Sequence, residues 1–182
     1  MTTTTGRRTV SAAQLRDEFD HAFSLPPQVE TVQSRHLLAI RIGADPYALD
    51  PEEIAGLQVD RAIVPMPGAL PEWLGLAGIR GELVPVYSLA MLLGYEQSAA
   101  AKPRWVALCG SKQFLGLAFD AFERHLNLTL PQIAAADPTN IKTEHVRAVA
   151  HADDMSRPVI SIPSVAAEIA RRCATVTVFK EK

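Results

Sequence analysis

Cysteine is scarce in this chain of 182 residues, which carries only Cys109 and Cys173. The two residues lie far apart and fit no spacing of zinc ligands, so the sequence predicts neither a disulfide framework nor a metal site. Each is flanked by apolar or small residues, which favours a buried thiol in a reducing compartment. We therefore expect a cytoplasmic protein without a bound metal.

Long basic runs and long apolar runs are also missing. Eighteen Lys and Arg residues stand against twenty Asp and Glu residues, which gives a formal net charge of −2. Nucleic-acid binding needs a basic stripe, so we do not expect it. No stretch of about 18 apolar residues could span a membrane, and no apolar segment of the secretory type follows the arginines near the N-terminus. With 48% hydrophobic and 21% charged residues, the composition is that of a folded globular protein.

The sequence offers no set of residues that indicates catalysis. The glycines at 75, 78 and 81 lead into a predicted strand instead of a helix, so they do not predict a phosphate-binding loop. His145 and His151 lie six residues apart near the Asp153-Asp154 pair, and polar strand and turn positions explain them better than a metal site does. No G-x-S-x-G nucleophile motif occurs. We expect neither an enzyme nor a cofactor.

Short apolar segments separated by turns predict a mainly β fold. Strands are predicted at 36–43, 47–50, 61–64, 73–79, 82–87, 104–109, 114–119, 126–130, 145–151 and 158–162, with a loop over 133–143. The polar, Ala-rich segment near 94–103 predicts a junction between two halves. Ser164 is expected to cap a C-terminal helix with its apolar stripe at Val165, Ile169 and Cys173. In the tail, 174–182, residues 175–179 alternate as a strand does.

An N-terminal helix is predicted outside this β body. Residues 1–10 are polar and we expect them to be disordered, whereas residues 11–27 begin with a Ser-x-x-Gln capping box and end at two prolines. Leu15, Phe19 and Phe23 form a single helical stripe. Because an isolated helix of this length is marginal, the stripe needs a surface, either on the same chain or on a second subunit.

Residues 75–94, with the sequence GLAGIRGELVPVYSLAMLLG, are the most informative segment. Two apolar runs flank Arg80 and Gly81, which predicts a β-hairpin with a two-residue turn, and a short helix follows over 89–93. An arginine on a rigid turn can bind a partner through several hydrogen bonds at once. A simple solvated turn residue is an equally good interpretation of Arg80.

This hairpin resembles the central motif of the CheW family of chemotaxis coupling proteins. The resemblance covers about residues 37–169 and departs from the family pattern at Gly78, Ile79 and Ser88. The residues that carry it are Gly43, Tyr47, Asp50, Ile54, Leu57, Pro65, Pro67, Gly75, Ile79, Arg80, Gly81, Val84, Pro85, Leu89 and the segment LGLAFD at 115–120.

The resemblance implies a domain over 35–173 built from two small five-stranded SH3-like β-barrels, which acts by binding and without a cofactor. Family members join a CheA-type histidine kinase, through its regulatory domain, to the cytoplasmic tips of chemoreceptors. Neither nucleic acid nor direct membrane insertion is implied. Carried over to this chain, the receptor side would include Ile54, Gly75, Arg80, Gly81 and Gly116, and the kinase side Leu57 and Ile63.

The residues leave two other interpretations open. The chain could be a divergent CheW-like regulator that binds another signalling partner through Leu15, Phe19 and Phe23, which deletion of residues up to Pro27 would test. It could instead bind a small ligand such as a purine, and a nucleotide that binds the native state must then raise the melting temperature.

Overall fold

The computed structural model describes residues 34–68, 70–96, 103–110, 114–136 and 145–180, with side chains as far as Thr175. The predicted disordered segment 1–10, the predicted helix with Leu15, Phe19 and Phe23, and residues 97–102 lie outside the described residues. The described elements are β1 Ser34–Ile42, β2 Asp45–Leu49, β3 Gly56–Val59, β4 Ile63–Val64, β5 Trp73–Ile79, β6 Glu82–Ser88, α1 Leu89–Leu92, β7 Trp105–Cys109, β8 Leu115–Phe119, β9 Ala121–Thr129, β10 Ile133–Ala135, β11 Val146–Ala152, β12 Met155–Ile160 and α2 Ile162–Lys180.

The strands form two sheets. Sheet A has the order β10-β11-β12-β2-β1-β9, and sheet B has the order β3-β7-β8-β6-β5-β4. Strand pairs β12–β2 and β6–β8 are parallel, and the other pairs are antiparallel. The predicted mainly β class is confirmed. Each sheet has six strands instead of five, because the short strands β10 and β4 add an edge strand to each.

The two sheets do not divide the chain into two successive halves. Strands β6 and β7, which flank the predicted junction near 94–103, both belong to sheet B. Sheet A takes β1 and β2 from one end of the described chain and β9–β12 from the other. The chain therefore crosses between the sheets after Leu49 and again at Asp120.

Three predicted details near the C-terminal half are wrong. Part of the predicted loop 133–143 is strand β10. Ser161, not Ser164, precedes the helix, and its Oγ accepts a hydrogen bond from the Ser164 backbone N–H at 3.4 Å. Residues 175–179 continue helix α2 and do not form a strand. Local β propensity is weak compared with propagation of a helix that is already nucleated, which explains the last error.

The main apolar cluster lies between the two sheets. Sheet A contributes residues such as Ile40 and Leu49, and sheet B contributes Leu117 and Phe119. The helices add further side chains, including Leu89 of α1 and Val165, which belongs to the predicted stripe of α2. Two smaller clusters lie within the individual sheets. Burial of these apolar side chains therefore holds both helices against the sheets.

Three glycines form one row across sheet B. The register pairs Gly56 with Leu108, Leu108 with Gly116, Gly116 with Val86, and Val86 with Gly75. A Cβ on Gly116 would lie 2.8 Å from a methyl of Val106, and one on Gly75 would lie 2.0 Å from the Val64 carbonyl oxygen. At Gly75 and Gly116 the row therefore lets neighbouring backbone and side-chain atoms approach to distances at which a larger residue would collide.

The carboxylate of Glu123 joins three strands of sheet A by binding Arg157 and Arg41. The side chain of Arg157 is 3% exposed and its Nη2 lies 2.8 Å from Glu123 Oε2, while Arg41 Nε lies 2.5 Å from the other carboxylate oxygen. Nε and Nη1 of Arg157 are buried without a hydrogen-bond partner in the described part of the chain. Burial raises the pKa of Glu123, but the Arg41 hydrogen bond and the Arg157 charge outweigh this and hold it below its ordinary value of 4.5.

Replacing Glu123 with glutamine should lower the free energy of unfolding by about 2 kcal/mol, because Arg157 then stays buried without a counter-charge. The lowered pKa also sets a pH dependence. The ionised Glu123 carboxylate stabilises the fold at neutral pH. This stabilisation is lost as the pH falls from 4.5 through the lower pKa that Glu123 has in the folded state. Urea unfolding across this acid range should show a flatter pH profile for Glu123→Gln. Equal profiles for both proteins would contradict the assignment.

Replacing Gly75 with alanine should destabilise the protein by about 3 kcal/mol, because the new Cβ collides with the Val64 carbonyl and the backbone is strained. Its φ of +133° is a conformation that side chains rarely adopt. Gly78→Ala in the same strand is the matched control, since a Cβ there meets nothing within 4 Å. Urea denaturation measures both. Equal stability of the two variants would refute the close approach at Gly75.

Candidate partner-binding site

The hairpin of β5 and β6 carries the predicted charged tip. Ile79 pairs with Glu82, so Arg80 and Gly81 form a two-residue turn with φ values of 54° and 83°. Turns of this kind require positive φ at both positions, which glycine adopts freely and arginine does not. The strain at Arg80 is of order 1 kcal/mol. A strained residue at an exposed tip points to a role for its side chain.

The Arg80 side chain reaches across to the segment that enters β3. Its Nη2 donates a hydrogen bond to the Ala55 carbonyl oxygen at 3.2 Å and lies 3.1 Å from where a Cβ on Gly56 would be. The sequence did not identify Gly56 as a site residue. The one indication in the sequence is that a glycine interrupts the apolar segment between Ile54 and Leu57. The contact fixes an exposed guanidinium, which keeps further N–H donors for a partner.

The structure separates the predicted receptor-side residues into two groups. Ile54 is half-buried and packs against the central apolar cluster. It directly precedes Ala55, the residue whose carbonyl oxygen accepts the hydrogen bond from Arg80. Gly81 is exposed beside Arg80, whereas Gly75 and Gly116 are buried in the glycine row. The two buried glycines shape sheet B from within, and the other residues gather at one end of it.

The two predicted kinase-side residues face different apolar clusters. Leu57 of β3 pairs with Ala107 and packs against the cluster between the sheets. Ile63 of β4 pairs with Ala77 and packs against the smaller cluster of sheet B. Strands β3 and β4 are the two edges of the sheet. The structure therefore does not bring Leu57 and Ile63 together on one face.

A groove that the sequence did not reveal runs beside β6, and its lining combines apolar side chains with polar surface. It has a volume of about 450 Å³ and lies between the first half of β6, the start of β8 and helix α2. Leu83, at 74% exposed, is an uncovered apolar side chain on its rim. The lining residues are Glu82, Leu83, Val84, Pro85, Tyr87, Phe114, Leu115 and Ile169.

The backbone of β6 is open along this groove. Pairing with β8 starts at Val86 and Gly116, and no strand among the described residues pairs with residues 82–85 on that side. Hydrogen-bonded and non-hydrogen-bonded residue pairs alternate along an antiparallel ladder, and the pair beside the turn is hydrogen-bonded. Counting from that pair, Pro85 and Leu76 form a non-hydrogen-bonded pair, so the Pro85 nitrogen points away from β5 towards the open side. Proline has no N–H there, which makes this edge a poor template for an added strand.

The groove is neutral apart from its end near the turn. Among its lining residues the charged one is Glu82, two positions after Arg80. The Tyr87 hydroxyl lies 3.7 Å from Cys173 Sγ. Burial, followed by this contact, raises the pKa of Tyr87 to about 12, so the phenol stays uncharged at neutral pH. The groove therefore combines apolar side chains with polar surface, and its charged lining residue, Glu82, lies at the end nearest the turn.

Metal and membrane chemistry find no support in the described residues. There, no three His, Cys, Asp or Glu residues cluster in a way that could hold a metal ion, and no helix is long and apolar enough to cross a membrane. Cys109 is a buried free thiol. Burial, with a smaller effect of the Glu53 charge, raises the pKa of Cys109 to about 12, so it is not a reactive thiolate.

Comparison with known proteins agrees with the fold and the hairpin. The family model of the CheW-like domain matches residues 36–170. The crystal structure of the scaffolding protein TtCheW from Thermoanaerobacter tengcongensis is similar, with a TM-score of 0.63 and 22% sequence identity over 70% of this chain and 89% of that chain. A comparison with curated proteins gives no match. Since the family model matches well over half of its length, the chain belongs to the CheW-like domain family.

Proposed function

We propose that this protein is a non-catalytic scaffold that couples the cytoplasmic tips of chemoreceptors to a CheA-type histidine kinase. Membership of the CheW-like family supports a coupling role. The observation that carries the receptor side of the proposal is the groove along β6, whose first lining residue, Glu82, follows the Arg80-Gly81 turn. The protein would then act at the cytoplasmic face of the membrane through the receptors that it binds.

The groove suits a helical partner better than an extended one. Pro85 removes a backbone donor from the open edge of β6, so main-chain pairing with an added strand is weakened. Exposed Leu83 and the half-buried Leu115 offer apolar contacts of the kind that a helix face fills. A receptor tip is a helical hairpin, and its polar residues could bind Arg80 and Glu82 at the end of the groove.

The kinase side of the proposal is carried over from the family, at Leu57 or at Ile63, because these residues lie on opposite edges of sheet B and do not form one surface. Their strands β3 and β4 are the edges of sheet B, and strand edges are a common place for one β domain to meet another. Since the groove is lined from β6, β8 and α2, the two partners would occupy different surfaces. Simultaneous binding of both is what a coupling scaffold requires.

Arg80→Asn is the sharpest test of the receptor side. Asparagine followed by glycine suits the turn, so this change removes the guanidinium and keeps the hairpin. We expect about tenfold weaker binding of a receptor-tip fragment, in line with loss of an interface arginine. Binding of the kinase regulatory domain should not change. Isothermal titration of purified protein against each fragment measures both affinities.

Leu83→Ser tests the groove by the same titration and should also weaken receptor binding selectively. Leu130→Ser is its control, because Leu130 is similarly uncovered, at 49% exposed, but lies after β9 of sheet A. If the wild-type chain binds neither fragment at micromolar concentration, the coupling function is wrong. Equal losses in Leu83→Ser and Leu130→Ser would remove the groove from the proposal.

A further inference from the structure

Helix α2 forms one wall of the groove, and its next turn is tied to sheet B. Ile169 lines the groove opposite β6. Three and four residues further on, Arg172 contacts Glu72 and Cys173 contacts Tyr87. Residues at these spacings share a helix face. The same face of α2 therefore lines the groove and carries its attachment to the sheet.

The contact between Arg172 and Glu72 is an ion pair between a partly exposed arginine and a buried carboxylate. Glu72 is 1% exposed, and its Oε1 accepts a hydrogen bond from Arg172 Nη1 at 3.0 Å. Arg172 Nε also donates to Glu168 Oε1, one turn earlier in the helix, at 2.6 Å. A buried carboxylate that loses its partner is strongly unfavourable. The pair therefore ties Arg172, and with it this turn of the helix, to one position.

Glu72 lies at the base of the hairpin. It directly precedes β5, and its backbone oxygen accepts a hydrogen bond from the N–H of Ser88, the last residue of β6. The ion pair thus joins α2 to the point where both hairpin strands meet, at the opposite end from Arg80. This contact links the helix that forms one wall of the groove to the hairpin that forms the other.

We propose that the Glu72–Arg172 ion pair is the positioning contact that sets the separation of the two groove walls and so controls affinity for the receptor tip. This role rests on the proposed function of the groove. Neither residue is among those that line the groove, so both act through Ile169 and β6. Loosening the pair should weaken receptor binding and leave kinase binding unchanged.

Cys173 provides a native reporter for the position of the helix. It is half-buried next to Tyr87, whereas Cys109 is 2% exposed. In Glu72→Gln, alkylation of Cys173 by a thiol reagent, followed by peptide mass mapping, should be several-fold faster than in the wild type. Titration with the receptor-tip fragment should show about fivefold weaker binding. Arg172→Lys keeps the positive charge opposite Glu72, so this variant should keep an alkylation rate and a receptor affinity close to those of the wild type.

Matched controls separate positioning from stability. Glu123→Gln removes a carboxylate from a buried ion pair in sheet A, so it should lower the melting temperature without faster Cys173 alkylation or weaker receptor binding. Arg172→Gln, at a side chain 36% exposed, replaces Glu72→Gln if that variant does not fold.

Unchanged alkylation in a folded variant would show that the pair does not hold the helix. Faster alkylation with unchanged receptor affinity would show that the helix is not a wall of the binding groove. If the wild-type chain does not bind the receptor tip, both the coupling function and the control of affinity are overturned. In that case the alkylation rates still decide whether the pair fixes the helix.

Discussion

Burial of one apolar cluster between the two sheets is the interaction on which the rest of this structure depends. Both sheets and both helices contribute to it, so no single element could bury its apolar face alone. The candidate site inherits its geometry from this cluster. Tyr87 and Ile169 belong to the cluster and also line the groove, and Ile54 packs against it from the segment that Arg80 contacts. A partner in the groove would therefore rest on the core of the domain instead of on a mobile loop.

Polar contacts add the specificity that apolar burial lacks, because burial is not directional. The carboxylate of Asp50 is 4% exposed and binds both Arg35 and Arg147, and Glu53 links Arg147 to the backbone N–H of Ile162 at the start of α2. This network joins the end of β2 to β11 and to the first turn of the helix. The Glu72–Arg172 pair fixes the same helix further along. A carboxylate–backbone hydrogen bond at Ile162 and an ion pair at Arg172 thus attach α2 at two separate points.

The hairpin combines strain with restraint. Its turn forces Arg80 into a backbone conformation that arginine adopts at a cost, and the hydrogen bond to Ala55 holds the side chain in place. Preorganisation of this kind lowers the entropy lost when a partner binds. Pro85 meanwhile protects the open edge of β6 against unwanted strand addition while leaving apolar side chains accessible. The region is therefore suited to selective binding by side chains.

The sequence by itself determined the local features: the mainly β class, most strands, the two-residue turn at Arg80 and Gly81, and the motif that identifies the family. These follow from residue spacing along a few consecutive positions, where alternation and turn chemistry act. Only the tertiary structure decided which strands share a sheet, that Gly56 makes room for Arg80, that Gly75 and Gly116 are buried, and that Glu72 meets Arg172 across 100 positions. It also decided that residues 175–179 are helical, against their strand-like alternation. Such features depend on contacts between residues far apart in the chain, and local propensity carries no information about those contacts.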